Sequence, residues 1–439
     1  MEIFIKIVQL LFSLSILVIF HEMGHFIAAR VFKTRVEKFY LFFNPWFSLF
    51  KTKRGETEYG IGWLPLGGYV KISGMIDESL DREQLKQPPQ PWEFRSKPAW
   101  QRLIIMLGGV TVNLLLAICI YIVMLYLWGE QYLPTAEVKY GISVDTLGYQ
   151  MGLRNGDKIL TIDHKPVEEF TDIHKTLLLE EAKTVQVIRN GNERNIDIPD
   201  GFLAKLIKQK SLDFISVRFP FIADKFSPGS VAQKAGMLVN DQIIGINDTL
   251  VPYFDQFRNV IKHYKNKPVR IVILRGKDTL RLPMTVTAAG KIDVYAKPIP
   301  GLFMMKEKKY SVFSAIPAGF LKAFEGAGNY LKSIKLIFSQ EKAYESVGGF
   351  ITIGSIFPST WDWQAFWSLT AFLSIMLAII NVLPIPALDG GHVAFLLYEI
   401  VFRRKPGEKF LEYAQIIGMI LLFGLLIFAN LNDILKLFR

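Results

Sequence analysis

The sequence predicts a polytopic α-helical membrane protein: four transmembrane helices, a membrane-associated β-hairpin, and two small β-rich modules inserted between the second and third helices. Three observations carry this. Of 439 residues, 51% are hydrophobic, too many for an ordinary water-soluble chain of that length. Yet 21% are charged, more than a bare helical bundle carries, so soluble segments must alternate with spans. Between the second and third apolar runs, moreover, one nine-residue pattern occurs twice. The same composition excludes a disordered, collagenous or disulfide-rich secreted chain. Cys119 is the only cysteine, so no intrachain disulfide can form.

A bilayer core about 30 Å thick needs roughly 20 apolar residues in helix. The first span, Phe4 to Phe20, is interrupted only by Lys6, Gln9, Ser13 and Ser15, and its apolar character resumes at Phe26 to Ala29. A cleaved signal peptide would be shorter, and cleavage would discard the polar cluster at its end, so an uncleaved span is expected. Leu103 to Trp128 is the strongest span, Phe366 to Val382 the third and Ile416 to Leu431 the fourth.

The net charge of +11 is dispersed, with no compact basic stripe or aromatic platform, which argues against nucleic acid as a partner. Its use is topological. From Arg30 to Arg102 there are thirteen Lys or Arg against eight Asp or Glu, and Arg403, Arg404, Lys405 and Lys409 follow the third span. Short basic loops stay in the cytosol. Both termini and the long middle segment are then expected outside.

Within that segment Gly152-Leu153-Arg154-Asn155-Gly156-Asp157-Lys158-Ile159-Leu160 aligns with Gly236-Met237-Leu238-Val239-Asn240-Asp241-Gln242-Ile243-Ile244, 84 residues on. Each copy continues into a helical stretch (Asp172 to Leu179; Asp255 to His263) and an alternating strand (Val185 to Arg189; Val269 to Leu274) that turns at Asn190-Gly191 or Arg275-Gly276. This order, with Ser227-Pro228-Gly229-Ser230 and Ala235-Gly236-Met237, resembles bacterial PDZ domains, which bind extended peptides by strand addition. A spacer of the same fold is the alternative. The expected division is 1–128 for the first transmembrane half, 129–205 and 206–290 for the two modules, 291–364 for a linker and 365–439 for the second transmembrane half. Within the linker, Phe313 to Phe338 suits an amphipathic helix on the outer membrane face, or one within a soluble domain.

His21-Glu22-Met23-Gly24-His25 has the form H-E-x-x-H. On a helix the two imidazoles share a face and can hold one zinc, while Glu22 can approach a water as general base. Ionisable groups inside a span cost about 2.5 kcal/mol or more each, so they call for a function. A pair of histidines snorkelling at a helix end is the plain alternative. A catalytic zinc wants a third protein ligand. His164, His174 and His263 belong to the middle segment, which leaves Asp389 and His392. They follow Asn381-Val382-Leu383-Pro384-Ile385-Pro386-Ala387-Leu388, where two prolines break the helix and free backbone groups. Spans one and three run in the same direction, so both clusters fall at one depth.

H-E-x-x-H in a first span, with Asn381, Pro384, Pro386 and Leu388-Asp389-Gly390 in a later one, is similar to the site-2 protease family of intramembrane zinc metalloproteases. The two modules make the chain resemble its bacterial regulator-of-sigma-E type. Leu64-Pro65-Leu66-Gly67-Gly68-Tyr69-Val70-Lys71, then Gly74-Met75 and Asp77-Glu78, also match. The resemblance implies that His21, His25 and Asp389 ligate Zn2+ and that Glu22 is the catalytic acid and base. It implies a membrane-dipping β-hairpin from Tyr59 to Lys71 (Gly60, Gly62, Gly67, Gly68, Tyr69) that pairs with an unwound substrate. Asn381, Pro384 and Pro386 are implied to bind substrate backbone. On its residues alone the Gly60 to Gly68 stretch reads only as a hairpin.

The implied activity is regulated intramembrane proteolysis in a bacterial inner membrane. Its substrates would be single-pass proteins, a membrane-bound anti-sigma factor and remnant signal peptides, with membrane lipid around them and the outer modules gating entry. Two departures stand out: Gly108-Gly109-Val110 precedes Asn113 where the family commonly has Gly-Pro, and Gly348-Gly349-Phe350 stands where Gly-Pro is frequent. A competing class is a non-catalytic PDZ scaffold with a structural metal, for which Glu22 would be superfluous. A CAAX-type membrane protease would take a glutamate as third ligand, which the Asp389 segment argues against.

Overall fold

The computed structural model describes residues 2–65, 67–75, 88–180, 182–202, 205–206, 214–339 and 348–437. Asp77 and Glu78 lie outside these. Two compact units result: residues 1–129 with 309–439, and residues 130–308.

The first unit begins with α1 (Glu2–Val31), then strands β1 (Val36–Leu41), β2 (Phe50–Arg54), β3 (Thr57–Ile61) and β4 (Tyr69–Ile72), then α2 (Ala99–Trp128). The strands form one sheet in the order β2-β3-β1-β4. This corrects the expected hairpin of Tyr59 to Lys71. β3 and β4 do not pair with each other. β1 lies between them, parallel to β3 and antiparallel to β4. β3 ends at Ile61 and β4 begins at Tyr69, a separation too long for a tight turn between paired neighbours. The true hairpin is β2–β3, whose turn contains Gly55 at φ +60°.

In the second unit β5 (Glu130–Tyr132) pairs with β18 (Lys306–Lys308), and two modules of equivalent order lie between them. The first comprises β6 (Ile142–Val144), α3 (Thr146–Met151), β7 (Lys158–Ile162), β8 (Lys165–Pro166), α4 (Phe170–Leu179), β9 (Thr184–Arg189), β10 (Asn192–Asp197) and β11 (Ile215–Val217). The second comprises β12 (Phe221–Phe226), α5 (Val231–Lys234), β13 (Gln242–Ile246), β14 (Thr249–Leu250), α6 (Phe254–Ile261), β15 (Pro268–Arg275), β16 (Asp278–Thr285) and β17 (Val294–Ala296). Each has its own core, around Ile159, Ile162, Val185 and Val187 in one and Ile243, Ile246, Ile271 and Ile273 in the other. β11 pairs back to β6 and β17 back to β12, so each closing strand falls past the module ends expected at 205 and 290.

The repeat is also chemical. Asp157 receives Arg189 through both Nε and Nη2 at 2.8 Å, and Asp241 receives Arg275 at 2.8 and 2.7 Å. In each copy the same arginine also bonds the carbonyl of the aligned glycine, Gly152 or Gly236. Bidentate pairs of this kind fix geometry as well as charge.

The chain returns to the first unit with α7 (Val312–Ser339), α8 (Phe350–Ile356), α9 (Trp363–Val382), α10 (Asp389–Phe402) and α11 (Glu408–Leu437). Among the described residues, four helices are long and apolar enough to cross a membrane: Glu2–Val31, Ala99–Trp128, Trp363–Val382 and, within α11, Lys409–Leu435. Three polar residues of α1 meet the segment 355–370. Lys6 donates to the Ser355 carbonyl, Gln9 to the Pro358 carbonyl, and Ser13 meets Thr370. The helix expected at Phe313 to Phe338 packs its small residues inward: Ala315 and Ala323 are fully buried, and a Cβ at Gly319 would meet the Ile122 backbone of α2. Phe313, Phe320 and Phe324 stay exposed.

Candidate metal centre

His21 and His25 stand one turn apart on a face of α1, 9% and 7% exposed. α1 meets α2 backbone to backbone at Gly24 and Gly108, where a side chain on either would strike the other's carbonyl. Gly109 then leaves the space that both imidazoles fill: its Cβ would collide with His25 Nε2 and with the His21 ring.

Asp389 arrives from the far end of the chain, and its position is built by a broken helix. α9 stops at Val382, Leu383 to Leu388 form a tight loop, and α10 starts at Asp389 itself. Ala387 takes φ +77°, a left-handed conformation that a non-glycine residue adopts only when its surroundings impose it. Gln415 of α11 accepts the Ala387 N–H at 3.2 Å, and Gly418 lies directly on the Pro386 carbonyl. Gly390 and Gly391 serve close approach here, because side chains there would strike the carbonyls of Leu383 and Ile385. The positive φ falls on the alanine instead.

The result is convergence. His21 Nε2 and His25 Nε2 lie 3.2 and 3.3 Å from Asp389 Oδ2, and 3.3 Å from each other. A tetrahedral zinc with bonds of about 2.0–2.1 Å sets its ligand atoms about 3.3–3.4 Å apart, so this donor set fits the ion by size as well as by type. His25 Nδ1 donates to the Ile105 carbonyl at 2.9 Å, which leaves its Nε2 lone pair facing the other two donors. Asp389 Oδ2 is buried with no hydrogen-bond partner among the described residues.

Glu22 lies beside this group, its carboxylate accepting the Val70 backbone N–H of β4. A Cβ at Gly68 would lie 2.6 Å from Val18 Cγ1 and 3.5 Å from Glu22 Cγ, so the chain before β4 rests on α1 at the level of Glu22. Asn381, at the end of α9, places Nδ2 3.3 Å from His21 Nε2. Tyr69 stacks on Tyr40 and donates to Asn44 Oδ1. Gly67 takes φ +150° beside the Phe43 ring. Gly60 and Gly62 are elsewhere: Gly60 lies on the Tyr40 ring in β3, which is paired on both edges, and Gly62 abuts the Phe43 backbone. Pro384 is exposed and Pro386 half-buried. His392 follows Asp389 on α10 and does not join the converging three.

The sequence named Gly109 and Val70 only within family motifs, without a part in the site, and did not single out Ile105 or Gln415. Residues 105, 109 and 113 share a face of α2 by helical spacing, a small residue with an amide one turn on, and that was the available signal.

A buried pair of histidines on H-E-x-x-H, closed by an aspartate from a broken helix among apolar spans, defines a zinc metalloprotease housed in membrane helices. The profile of peptidase family M50 matches residues 9–425, and the chain belongs to that family, the site-2 proteases. It is a zinc-dependent metalloprotease. A protein of Neisseria meningitidis serogroup A, provisionally named a zinc metalloprotease, is 27% identical over 449 residues, covering 97% of this chain and 98% of its own length. The "Regulator of sigma E protease" of Haemophilus influenzae is 26% identical over 454 residues, 97% of each chain. A Campylobacter jejuni protein with the same provisional name as the first is 27% identical over 431 residues, 97% of this chain and 92% of its own.

Proposed function

We propose that this chain is an intramembrane endopeptidase that cuts single-pass membrane proteins within, or at the cytosolic end of, their spanning helix. The observation that carries it is the meeting of His21, His25 and Asp389 at tetrahedral spacing beside Glu22, on helices apolar enough to lie in a bilayer. These three residues would hold zinc, which would supply Lewis acidity and lower the pKa of a water near them. Glu22 takes the proton of that water and returns it to the leaving amine. Asn381 offers its amide to the substrate backbone on the ligand side of His21.

A substrate helix hides its carbonyls in its own hydrogen bonds, so it must unwind before it is cut. Strand addition holds such a segment open. In the order β2-β3-β1-β4 the outer strands are β2 and β4, and β4 is the one that contacts Glu22. Gly67, Gly68 and Tyr69 therefore form the receiving edge, while Gly60 and Gly62 shape the sheet.

The basic loops favour a bacterial inner membrane with the two modules and both termini on the periplasmic side and the site toward the cytosol. In this reading the modules are PDZ domains that gate entry, admitting substrates whose outer domain has been removed, with an anti-sigma factor and remnant signal peptides as the substrate classes. Support comes from the resemblance in element order and from the Haemophilus influenzae relative's name. The test is to purify wild type, Glu22→Gln and Asp389→Ala, measure bound zinc, and assay cleavage of a single-pass reporter. Glu22→Gln should keep zinc and lose cleavage, and Asp389→Ala should lose both. Cleavage by Glu22→Gln, or full zinc in Asp389→Ala, overturns the reading.

A further inference from the structure

We propose that Asn113 is a positioning residue for the metal centre: its amide oxygen accepts the His21 Nδ1 proton when zinc is bound, and so holds His21 in the tautomer that ligates. The proposal rests on His21 being a zinc ligand, as argued above.

Asn113 is fully buried in the middle of α2, where an uncompensated polar side chain is costly. Its own carbonyl receives the Ser374 hydroxyl of α9 at 2.7 Å, which anchors the backbone under the site. Its amide has one protein neighbour among the described residues, His21 Nδ1, 3.2 Å from Nδ2, while Oδ1 is buried without a partner. With Nδ2 toward the ring, Nδ1 would have to offer its lone pair, which would put the ring proton on Nε2, where Asp389 Oδ2 and Asn381 Nδ2 lie 3.2 and 3.3 Å away. A metal at that place requires the reverse, with Nε2 unprotonated and the proton on Nδ1.

The amide can meet this demand by a half-turn, since its oxygen and nitrogen fill nearly the same volume. No other described residue holds the far end, so His21 alone decides which way it faces. His25 has no such freedom, because Ile105 offers a carbonyl, which only accepts. The two ligands are thus oriented by one helix in different ways, one by a fixed acceptor and one by a reversible group.

The test compares Asn113→Leu and Asn113→Asp with wild type in the detergent-purified full chain. Zinc affinity is read by chelator competition, and the visible spectrum is read after cobalt replaces zinc. Outer partners of metal-bound histidines are worth about 10- to 100-fold in metal affinity. Asn113→Leu should lose about that factor and shift the cobalt spectrum. Asn113→Asp, which can only accept, should restore both. If Leu binds zinc as wild type does, or if Asp is as poor as Leu, the proposal is wrong. Nitrogen-15 spectra of the histidine-labelled, zinc-loaded wild type give an answer even if a variant fails to fold: His21 Nδ1 must carry a proton, and an unprotonated Nδ1 overturns the assignment. Wild type that binds no zinc, or a His21→Ala variant that binds it undiminished, would instead overturn the metal site itself.

Discussion

Asp157 and Asp241 in the modules and Asp389 among the membrane helices are all carboxylates withdrawn from water, and they are treated in opposite ways. Asp157 is 1% exposed and has every need met: two bonds from Arg189 and one from the Arg154 N–H. Asp241 repeats this with Arg275 and the Leu238 N–H. Asp389 Oδ2 has no arginine or backbone N–H bonded to it among the described residues and faces two imidazole nitrogens. A buried carboxylate that is fully bonded holds a fold together. One left open, opposite two imidazole nitrogens, marks a place for a cation.

The largest expected effect separates the two kinds. Asp389→Asn should lower zinc affinity by more than about 100-fold, beyond what outer partners contribute, with thermal unfolding of the metal-free protein unchanged. A fall in metal-free stability would mean that Asp389 is structural after all. Gln415→Leu should act on the same carboxylate at one remove, freeing Ala387 from its imposed φ and reducing zinc affinity about 10-fold. Zinc titration reads it, and an unaltered affinity would show the loop to be held without α11. Asp157→Ala should do the opposite of Asp389→Asn. It should leave zinc binding intact and destabilise the first module by about 1.5–3 kcal/mol, the worth of a lost charged hydrogen-bond set, visible as faster hydrogen exchange across β7 and β9.

The smallest effect is one of pH. Burial pushes the Asp241 carboxyl up, but the Arg275 hydrogen bonds, the Leu238 N–H and the Arg275 charge together hold it below the ordinary carboxylate range. Its contribution is therefore complete above about pH 3.9, the ordinary aspartate value. It fades as acid takes the pH down through the lowered folded value. Proteolysis of the second module across that acid range should show a loss that Asp241→Asn removes.

Much of this was legible in the order of residues. The spans, H-E-x-x-H and Asp389 could be read because helical periodicity and metal chemistry each impose a fixed spacing or a rare residue in an apolar run. The module repeat could be read from Gly152 to Leu160 against Gly236 to Ile244. Its Arg189 and Arg275 partners could not, because they stand 32 and 34 residues beyond their aspartates, a mismatch that breaks the alignment. Nor could the place of β1 between β3 and β4, since alternation marks a strand without naming its neighbour. The parts of Gly109 and Asn113 escaped for a like reason. A glycine that makes room, and an amide that orients a ring, take their meaning from what another helix brings against them.

His21 and His25 lie near one end of the chain and Asp389 near the other, and this has a consequence in time. At about 5–20 residues per second of synthesis, the two histidines are in place for roughly half a minute before Asp389 is made. α2 follows α1 within seconds, so Ile105, Gly109 and Asn113 sheath the imidazoles early. A half-built chain thus waits with its two histidines already packed, and the carboxylate that meets them arrives only later.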